Sequence, residues 1–226
     1  MIRNVVAAIP INYPTQQEQI YGIYREHAYW DSLQTKPIYK AETLTKADKF
    51  SYAKKEIDGN VHILEHKLDV INMDSVEIRI YGGIHDVHYD DFVLGRHGPL
   101  RLSRLNDYEF KIKDTLVYDG RPVIQLNYSN KKSKGELYID VNSFALIRAI
   151  RERNPKEIEE DFKLFNIYER LNWKSLTSYD IDPDGKWRLK FIHYNTSFKR
   201  KNSTKSFYLN TTYFATQHLS EGTLIP

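Results

Sequence analysis

The part of the sequence best equipped for chemistry is residues 85–91, which read His-Asp-Val-His-Tyr-Asp-Asp. Two histidines three positions apart share one face of a helix, and with a carboxylate they could hold zinc beside an open water position. Such a site would make the chain a metal-dependent hydrolase. The candidate ligands are His85, His88, Asp90 and Asp91. No His-Glu-x-x-His helix and no evident further ligand accompany them, so a structural or solvated loop is the favoured interpretation.

The remaining candidates for catalysis are weaker. His62 and His66 alternate with apolar residues, and we expect them at the rim of an apolar patch. Asp182-Pro-Asp-Gly185 begins like a calcium loop but lacks the later oxygen ligands, so it predicts a turn. There is no cysteine, no glycine-rich phosphate loop and no Gly-x-Ser-x-Gly motif. We therefore predict a protein that is not an enzyme and that carries no cofactor and no stoichiometric metal.

Aromatic residues are the unusual feature of the composition, with 17 Tyr, 10 Phe and 3 Trp. Such residues favour a pleated, half-buried surface, and on strands they could line the concave side of a curved sheet around an apolar ligand. The speculative lining residues are Tyr24, Trp30, Trp187 and Phe191. For each of them separately, ordinary core packing is the alternative.

Charge and hydropathy exclude several classes of partner. The formal net charge is only +3, which argues against nucleic acid. One basic cluster, 199–205, lies among Asn and Ser in what we interpret as a solvated hairpin loop. No run approaches the roughly 18 apolar residues of a membrane span, and the chain does not start like a signal peptide. We expect no transmembrane segment and no signal in this chain.

Periodicity predicts one helix followed by strands. Apolar residues at Ile2, Val5, Val6 and Ile9 form one helical face, which we expect to pack against a sheet, and Pro10 with Asn12-Tyr13-Pro14 is expected to end the helix. The helix starts at Met1 without a cap, so we expect residues 1–226 to be a single domain excised from a longer envelope protein. Alternation with period two then predicts strands over 19–29, 38–46, 61–70, 76–81, 108–118, 122–128, 136–141 with 144–151, 162–173, 175–180, 186–195 and 206–216.

The strands follow one another with short polar turns, such as Asp119-Gly120. Residues 82–106 break the alternation and predict a loop with a short helix, and 156–161 form an acidic connection. The tail 217–226 is expected to be ordered only if it pairs with a sheet edge. The predicted fold class is mainly β (α+β): a curved antiparallel sheet or unclosed half-barrel of about ten strands that packs the N-terminal helix.

Several segments resemble the C-terminal region of bacterial carboxypeptidase-like regulatory domain-containing proteins. The resemblance covers roughly residues 5–150 and is carried by 9–14, 22–26, 108–111, 118–123, 135–140 and 144–146. The last three also resemble outer-membrane lipoprotein carriers of the LolA and LolB type. The regulatory β-sandwich that precedes this region in the family is absent here, and residues 82–98 depart from the family pattern.

The carriers fold as an unclosed β-barrel around helices, with an apolar cavity for acyl chains. The resemblance therefore implies a non-enzymatic domain of the periplasm or of the outer-membrane-associated cell envelope. It would bind or carry a lipid, a lipoprotein acyl chain or another apolar partner. A purely structural interaction domain is the remaining alternative. The resemblance transfers no catalytic residue, because the family name refers to a sandwich attached to carboxypeptidases.

Overall fold

The computed structural model describes residues 1–30, 33, 37–49, 51–53, 60–70, 83–153, 168–200 and 206–220. Several predictions lie outside these residues. They concern the strand at 76–81, the acidic connection at 156–161, the first part of the strand at 162–173, the 201–205 part of the basic cluster, and the end of the tail at 221–226.

Ten antiparallel strands form one sheet, which confirms the predicted mainly β class. Each strand pairs with its neighbour in the order β3-β2-β1-β10-β9-β8-β7-β6-β5-β4, so within the described residues β3 and β4 are the edges and the sheet does not close. The strands are β1 Glu18–Tyr29, β2 Pro37–Lys49, β3 Val61–Val70, β4 Glu109–Tyr118, β5 Arg121–Ser129, β6 Ser133–Asp140, β7 Leu146–Arg153, β8 Tyr168–Ile181, β9 Trp187–Arg200 and β10 Ser206–Ser220.

Most predicted strands are present, with shifted ends. The two predicted strands at 162–173 and 175–180 meet in a single strand, β8, because polar Lys174 continues the pairing with β9. Asp119 and Gly120 both have positive φ, 50° and 72°, as the tight turn between β4 and β5 requires. The described part of the tail, up to Ser220, extends β10 along β1 and so pairs with a strand as expected of an ordered tail.

The N-terminal helix α1, Ile2–Asn12, covers one face of the sheet. Ile2, Val5 and Ile9 are buried in the main core, as expected, and Val6 is half-buried against it. The helix continues through Pro10 and ends at Asn12, within the segment 10–14 that was predicted to end it. Its last turn persists because the Tyr13 backbone N–H donates to the Ile9 carbonyl, and because the Asn12 amide donates to the Ser143 carbonyl at 2.8 Å.

The predicted loop of 82–106 is a second layer on the same face. It contains helix α2, Ile84–Tyr89, and two short 3-10 helices, Gly98–Leu100 and Leu102–Asp107. Phe92, Val93 and Leu100 are buried in the main core beside α1. We call this covered face the inner face and the opposite one the outer face. A second apolar cluster lies on the inner face toward one end of the central strands, formed by Ala28, Ile38, Tyr39, Ala41, Phe198, Phe207 and Leu209.

β-Bulges change which side chains share a face. On β9 the pairing skips Lys190, because Tyr179 is opposite Leu189 while Ser178 is opposite Phe191. On β3 it skips Leu64 in the same way, so His66 lies on the inner face and His62 on the outer face. Both histidines are exposed on this edge strand, but they lie on opposite faces and not on the single face that unbroken alternation predicts for them. An inserted residue shifts the alternation, so period-two reasoning fails beyond it.

Candidate ligand-binding site

Asp91, a candidate metal ligand, is a buried structural anion instead. Its side chain is completely buried and forms an ion pair with the Lys49 ammonium, which is also buried. The hydroxyls of Tyr52 and Tyr179 donate to its carboxylate at 2.8 and 2.6 Å. The backbone N–H groups of Val93 and Leu94 donate to the same carboxylate at 3.1 Å each. Both oxygens are therefore engaged in holding the 91–97 loop on the sheet.

Neither His88 nor Asp90 forms a metal-binding group with Asp91 among the described side chains. Helix α2 carries both His85 and His88, but the side chain of His85 lies outside what the structure describes. The His88 ring packs against Tyr213, with centroids 4.6 Å apart. Among the described residues, no group of three His, Cys, Asp or Glu side chains could hold a metal ion. The geometry offers the hydrolase alternative no support.

The predicted turn at 182–185 is confirmed, and its carboxylates serve the fold. The Arg188 guanidinium donates to Asp182 at 3.1 Å, to Asp184 at 2.7 Å and to Glu18 at 2.8 Å. Hydrogen bonds from Arg188 lower the Asp184 pKa to about 2. These hydrogen bonds connect the β8–β9 turn to the start of β1. The two carboxylates that resemble the opening of a calcium loop therefore pair with Arg188.

Two of the four predicted lining residues, Tyr24 and Trp187, are core residues on the inner face. Tyr24 donates a hydrogen bond to the buried Glu26 carboxylate. Trp187 is buried in the main core beneath the Arg121 guanidinium, which lies 5.7 Å from its ring centroid. A Trp187→Ala change therefore tests core packing and cannot isolate a ligand contact.

The other two predicted lining residues lie elsewhere. Trp30 follows β1 and is partly exposed, with its ring edge-on to Phe207 of the second cluster at 6.4 Å. Phe191 lies on the outer face, against Phe214 at 6.2 Å, because the bulge at Lys190 reverses its orientation relative to Trp187. The four residues consequently do not converge on one cavity.

An exposed apolar row on edge strand β4 was not predicted from the sequence. Phe110 and Ile112 pair with Tyr128 and Leu126, which belong to the main core, so both side chains lie on the inner face. Past the bulge at Lys113, Val117 returns to the same face. Phe110 is 38% exposed, Ile112 57% and Val117 78%. We call Phe110, Ile112 and Val117 the β4 apolar row.

The outer face beside this row is polar. A groove of about 520 Å³ runs over β4 to β8 and is lined by charged side chains of both signs. Glu152 accepts from Lys174 at 2.8 Å and Lys134 at 3.3 Å, and Glu136 pairs with Lys113 at 3.2 Å. Exposed ion pairs of this kind are typical of a solvated surface and contribute little to stability. Phe110 of the β4 apolar row and Tyr128 of the main core also line this groove, so the charged surface and the apolar row meet at Phe110.

A polar band crosses the inner face between the two apolar clusters. The pairing registers place Glu26, Thr211, Tyr194, Ser175 and Arg151 in line across five neighbouring strands. All are buried except Arg151, which is half-buried. Arg151 and Arg153 are two residues apart on β7 and therefore share the inner face. Each guanidinium lies 5.2 Å from the Trp173 ring centroid. We call Arg151, Arg153 and Trp173 the Arg-Trp cluster.

These features were missed at the sequence level for different reasons. The alternation of Phe110 and Ile112 with Glu109 and Lys111 is visible in the sequence. What it does not reveal is that β4 is an edge strand, where an inner row can stay uncovered. At 149–153 the sequence alternates as Ala-x-Arg-x-Arg. This pattern could have indicated a strand on which the inward-facing residues change from apolar to positively charged.

Within the described residues, no helix is long and apolar enough to cross a bilayer. No protein-family model matches the chain, and no curated protein matches it. Membership in the carboxypeptidase-like regulatory family, indicated by the sequence motifs, therefore stays a prediction.

Solved structures show likenesses at about a tenth sequence identity. The chain is similar to a domain described as an outer membrane lipoprotein-sorting protein from Vibrio parahaemolyticus, with 10% identity, TM-score 0.38, and 99% of this chain and 93% of that one covered. A DUF1329 family protein from Desulfovibrio piger gives 12% identity, TM-score 0.34, and coverage of 99% and 93%. Lipovitellin gives 9% identity and TM-score 0.36, covering 94% of this chain and 26% of that one. At these values the likenesses carry no conclusion about function.

Proposed function

We propose that this chain is a non-enzymatic binding domain of a bacterial cell envelope, which holds an acyl chain of a lipid or lipoprotein along the β4 apolar row. The observation that carries the proposal is the exposure of Phe110, Ile112 and Val117 on the inner face of an unclosed sheet. Large apolar side chains exposed in a row, beside a filled core, are typical of interaction sites. The carrier-like motifs of the sequence support the same class of ligand and the periplasmic location.

The energetics are adequate for a lipid. Each buried methylene contributes about 0.8 kcal/mol, so about eight to ten methylenes against the row could give micromolar affinity after the cost of association. The main core itself is occupied by Phe92, Val93 and Leu100 of the second layer. The chain therefore offers the edge of its inner face, rather than its centre, to an apolar ligand.

Strand addition by another protein is the competing use of a free edge. Two features of β4 disfavour it. Lys111 and Lys113 place positive charges beside the edge, and the bulge at Lys113 interrupts the ladder. Charged residues and bulges are the usual means by which edge strands avoid pairing with other chains. A ligand that contacts side chains rather than backbone fits this edge better.

The proposal predicts that Ile112→Ser weakens binding of an environment-sensitive fluorescent fatty acid roughly tenfold, because about 1–2 kcal/mol of apolar contact is lost. Since Ile112 is 57% exposed, the free energy of unfolding should hardly change. Titration of the probe into each variant measures the affinity.

Leu116→Ser is the matched control, because Leu116 is an exposed apolar residue of the same strand on the outer face. We expect it to change the affinity less than about twofold. An equal loss of affinity in the two variants would contradict a site on the inner row. Saturable binding whose affinity neither substitution changes would contradict it as well.

A further inference from the structure

Arg151 is a largely desolvated cation that forms no ion pair with any residue in the described part of the chain. Its Nε atom is buried and has no hydrogen-bond acceptor. None of the ion pairs among the described residues involves Arg151. A cation removed from water is costly unless it is paired, so a partly buried guanidinium without a counter-ion points to a missing anionic group.

Arg153 brings a second guanidinium group close to Arg151. Burial lowers the pKa of Arg151, and the neighbouring charge of Arg153 lowers it further. Burial also lowers the pKa of His97 to about 4, with a second contribution from the charge of Arg151, so His97 is neutral near pH 7. Asp90 is a nearby carboxylate that favours the charged form of Arg151.

Trp173 fixes where the guanidinium groups lie. Its ring is buried, and the two arginines lie over it at the same distance, 5.2 Å from the centroid. A guanidinium held against an aromatic face keeps its N–H fork free in the plane for a bidentate acceptor. Ser175, opposite Arg151 on β8, is small and buried, so it adds no bulk beside the fork.

The register connects this cluster to the β4 apolar row. Arg151, Gly135, Tyr128 and Phe110 are successive partners on β7, β6, β5 and β4. Three strand spacings separate Arg151 from Phe110, which is roughly 14 Å. An amphiphile with a charged head and an apolar chain spans such a distance.

We propose that Arg151, assisted by Arg153 and oriented by Trp173, binds the anionic head group of an amphiphile, a carboxylate or a phosphate, on the inner face of the sheet. This inference rests on the proposed function and narrows its ligand to acidic lipids. Guanidinium groups pair with carboxylate and phosphate oxygens through two parallel N–H···O bonds. The bound oxyanion would accept a hydrogen bond from the buried Nε–H and neutralise the charge of Arg151.

The test compares three ligands of equal chain length: a fatty acid, the corresponding lysophosphatidic acid and the fatty alcohol. Displacement of a fluorescent probe should show that at least one of the two acids binds at least tenfold more tightly than the alcohol. The better acid identifies the head group as carboxylate or phosphate. Arg151→Met should abolish the preference for acid over alcohol while the affinity for the alcohol is unchanged.

Arg148→Met is the matched control. Arg148 lies on the same strand but on the outer face, with its guanidinium 5.8 Å from the Tyr118 ring and 5.6 Å from the Tyr138 ring. The change removes the same charge and the same kind of ring contact, yet we expect it to leave the acid preference intact. Loss of the preference in both variants would show a general charge effect and overturn the site.

A second readout does not depend on lipid binding. The Nε–H resonance of Arg151 should shift saturably when inorganic phosphate is titrated, and the Arg148 resonance should not. Equal binding of acids and alcohol, or an acid preference that survives Arg151→Met, would overturn the anion site and leave the proposed apolar function standing. If none of the three amphiphiles binds but phosphate shifts the Arg151 resonance, the proposed function is overturned and the anion site stands.

If phosphate does not shift the Arg151 resonance, the anion site itself is overturned.

Discussion

Replacing Asp91 by alanine is expected to lower the free energy of unfolding by about 3–5 kcal/mol, because it leaves the buried Lys49 ammonium without its anion. The hydroxyls of Tyr52 and Tyr179 lose their acceptor in the same step. Chemical denaturation of the wild type and the variant measures the difference. The affected region is the 91–97 loop, which Asp91 fastens to β2 and β8.

Asp180→Ala is the control, since Asp180 also pairs with a lysine, Lys190, at 2.6 Å but both partners are about half exposed. Exposed pairs contribute about 0–1 kcal/mol, so the control should hardly change the free energy of unfolding. Equal losses in the two variants would contradict a structural role for the buried pair.

The contribution of Asp91 should depend on pH in a defined direction. Burial opposes its ionisation, but the Lys49 charge and the hydrogen bonds to the carboxylate outweigh burial, so its pKa in the folded protein is lowered. A lowered folded pKa gives stability that is present above the unfolded value of about 4 and is lost as the pH falls through the folded pKa. The difference between wild type and Asp91→Ala should therefore shrink only in acid.

The second large effect is expected from Val5→Asp in α1. Val5 is buried in the main core, so the change removes an apolar side chain and places an unpaired carboxyl group against the sheet. We expect the free energy of unfolding to fall by about 4–5 kcal/mol. Thermal and chemical denaturation measure this loss.

Ile11→Asp tests the same helix from its exposed side. Ile11 is 70% exposed, and we expect the change to cost less than about 1 kcal/mol. If Val5→Asp were as mild as Ile11→Asp, α1 would not belong to the core of the folded chain.

Much of the fold could be predicted because it depends on local patterns. Alternating side chains identify the strands, the Asp119-Gly120 turn identifies a hairpin, and the spacing of Ile2, Val5 and Ile9 identifies the helical face that packs on the sheet. The exact last residue of α1 could not be predicted, because it depends on a tertiary contact of Asn12 with the carbonyl of Ser143. Contacts between distant segments leave no local signal.

The site could be predicted only as a class of surface. Bulges decide the face of Phe191 and of His62, and a bulge depends on pairing register rather than on residue type. Asp91 has the side chain of a metal ligand, but its role follows from Lys49, which is 42 residues away in the chain. The β4 apolar row becomes visible only when strand order places β4 at an edge.

Paramagnetic broadening by a spin-labelled fatty acid tests the central claim most directly. With the side-chain methyl groups isotopically labelled, the account predicts saturable broadening of the Ile112 and Val117 signals on the inner row of β4. The Leu116 signals, on the outer row of the same strand, should keep most of their intensity. Competition by unlabelled fatty acid should restore the broadened signals. Absence of broadening at saturating probe, or equal broadening of inner and outer rows, would contradict an acyl-binding site on this face.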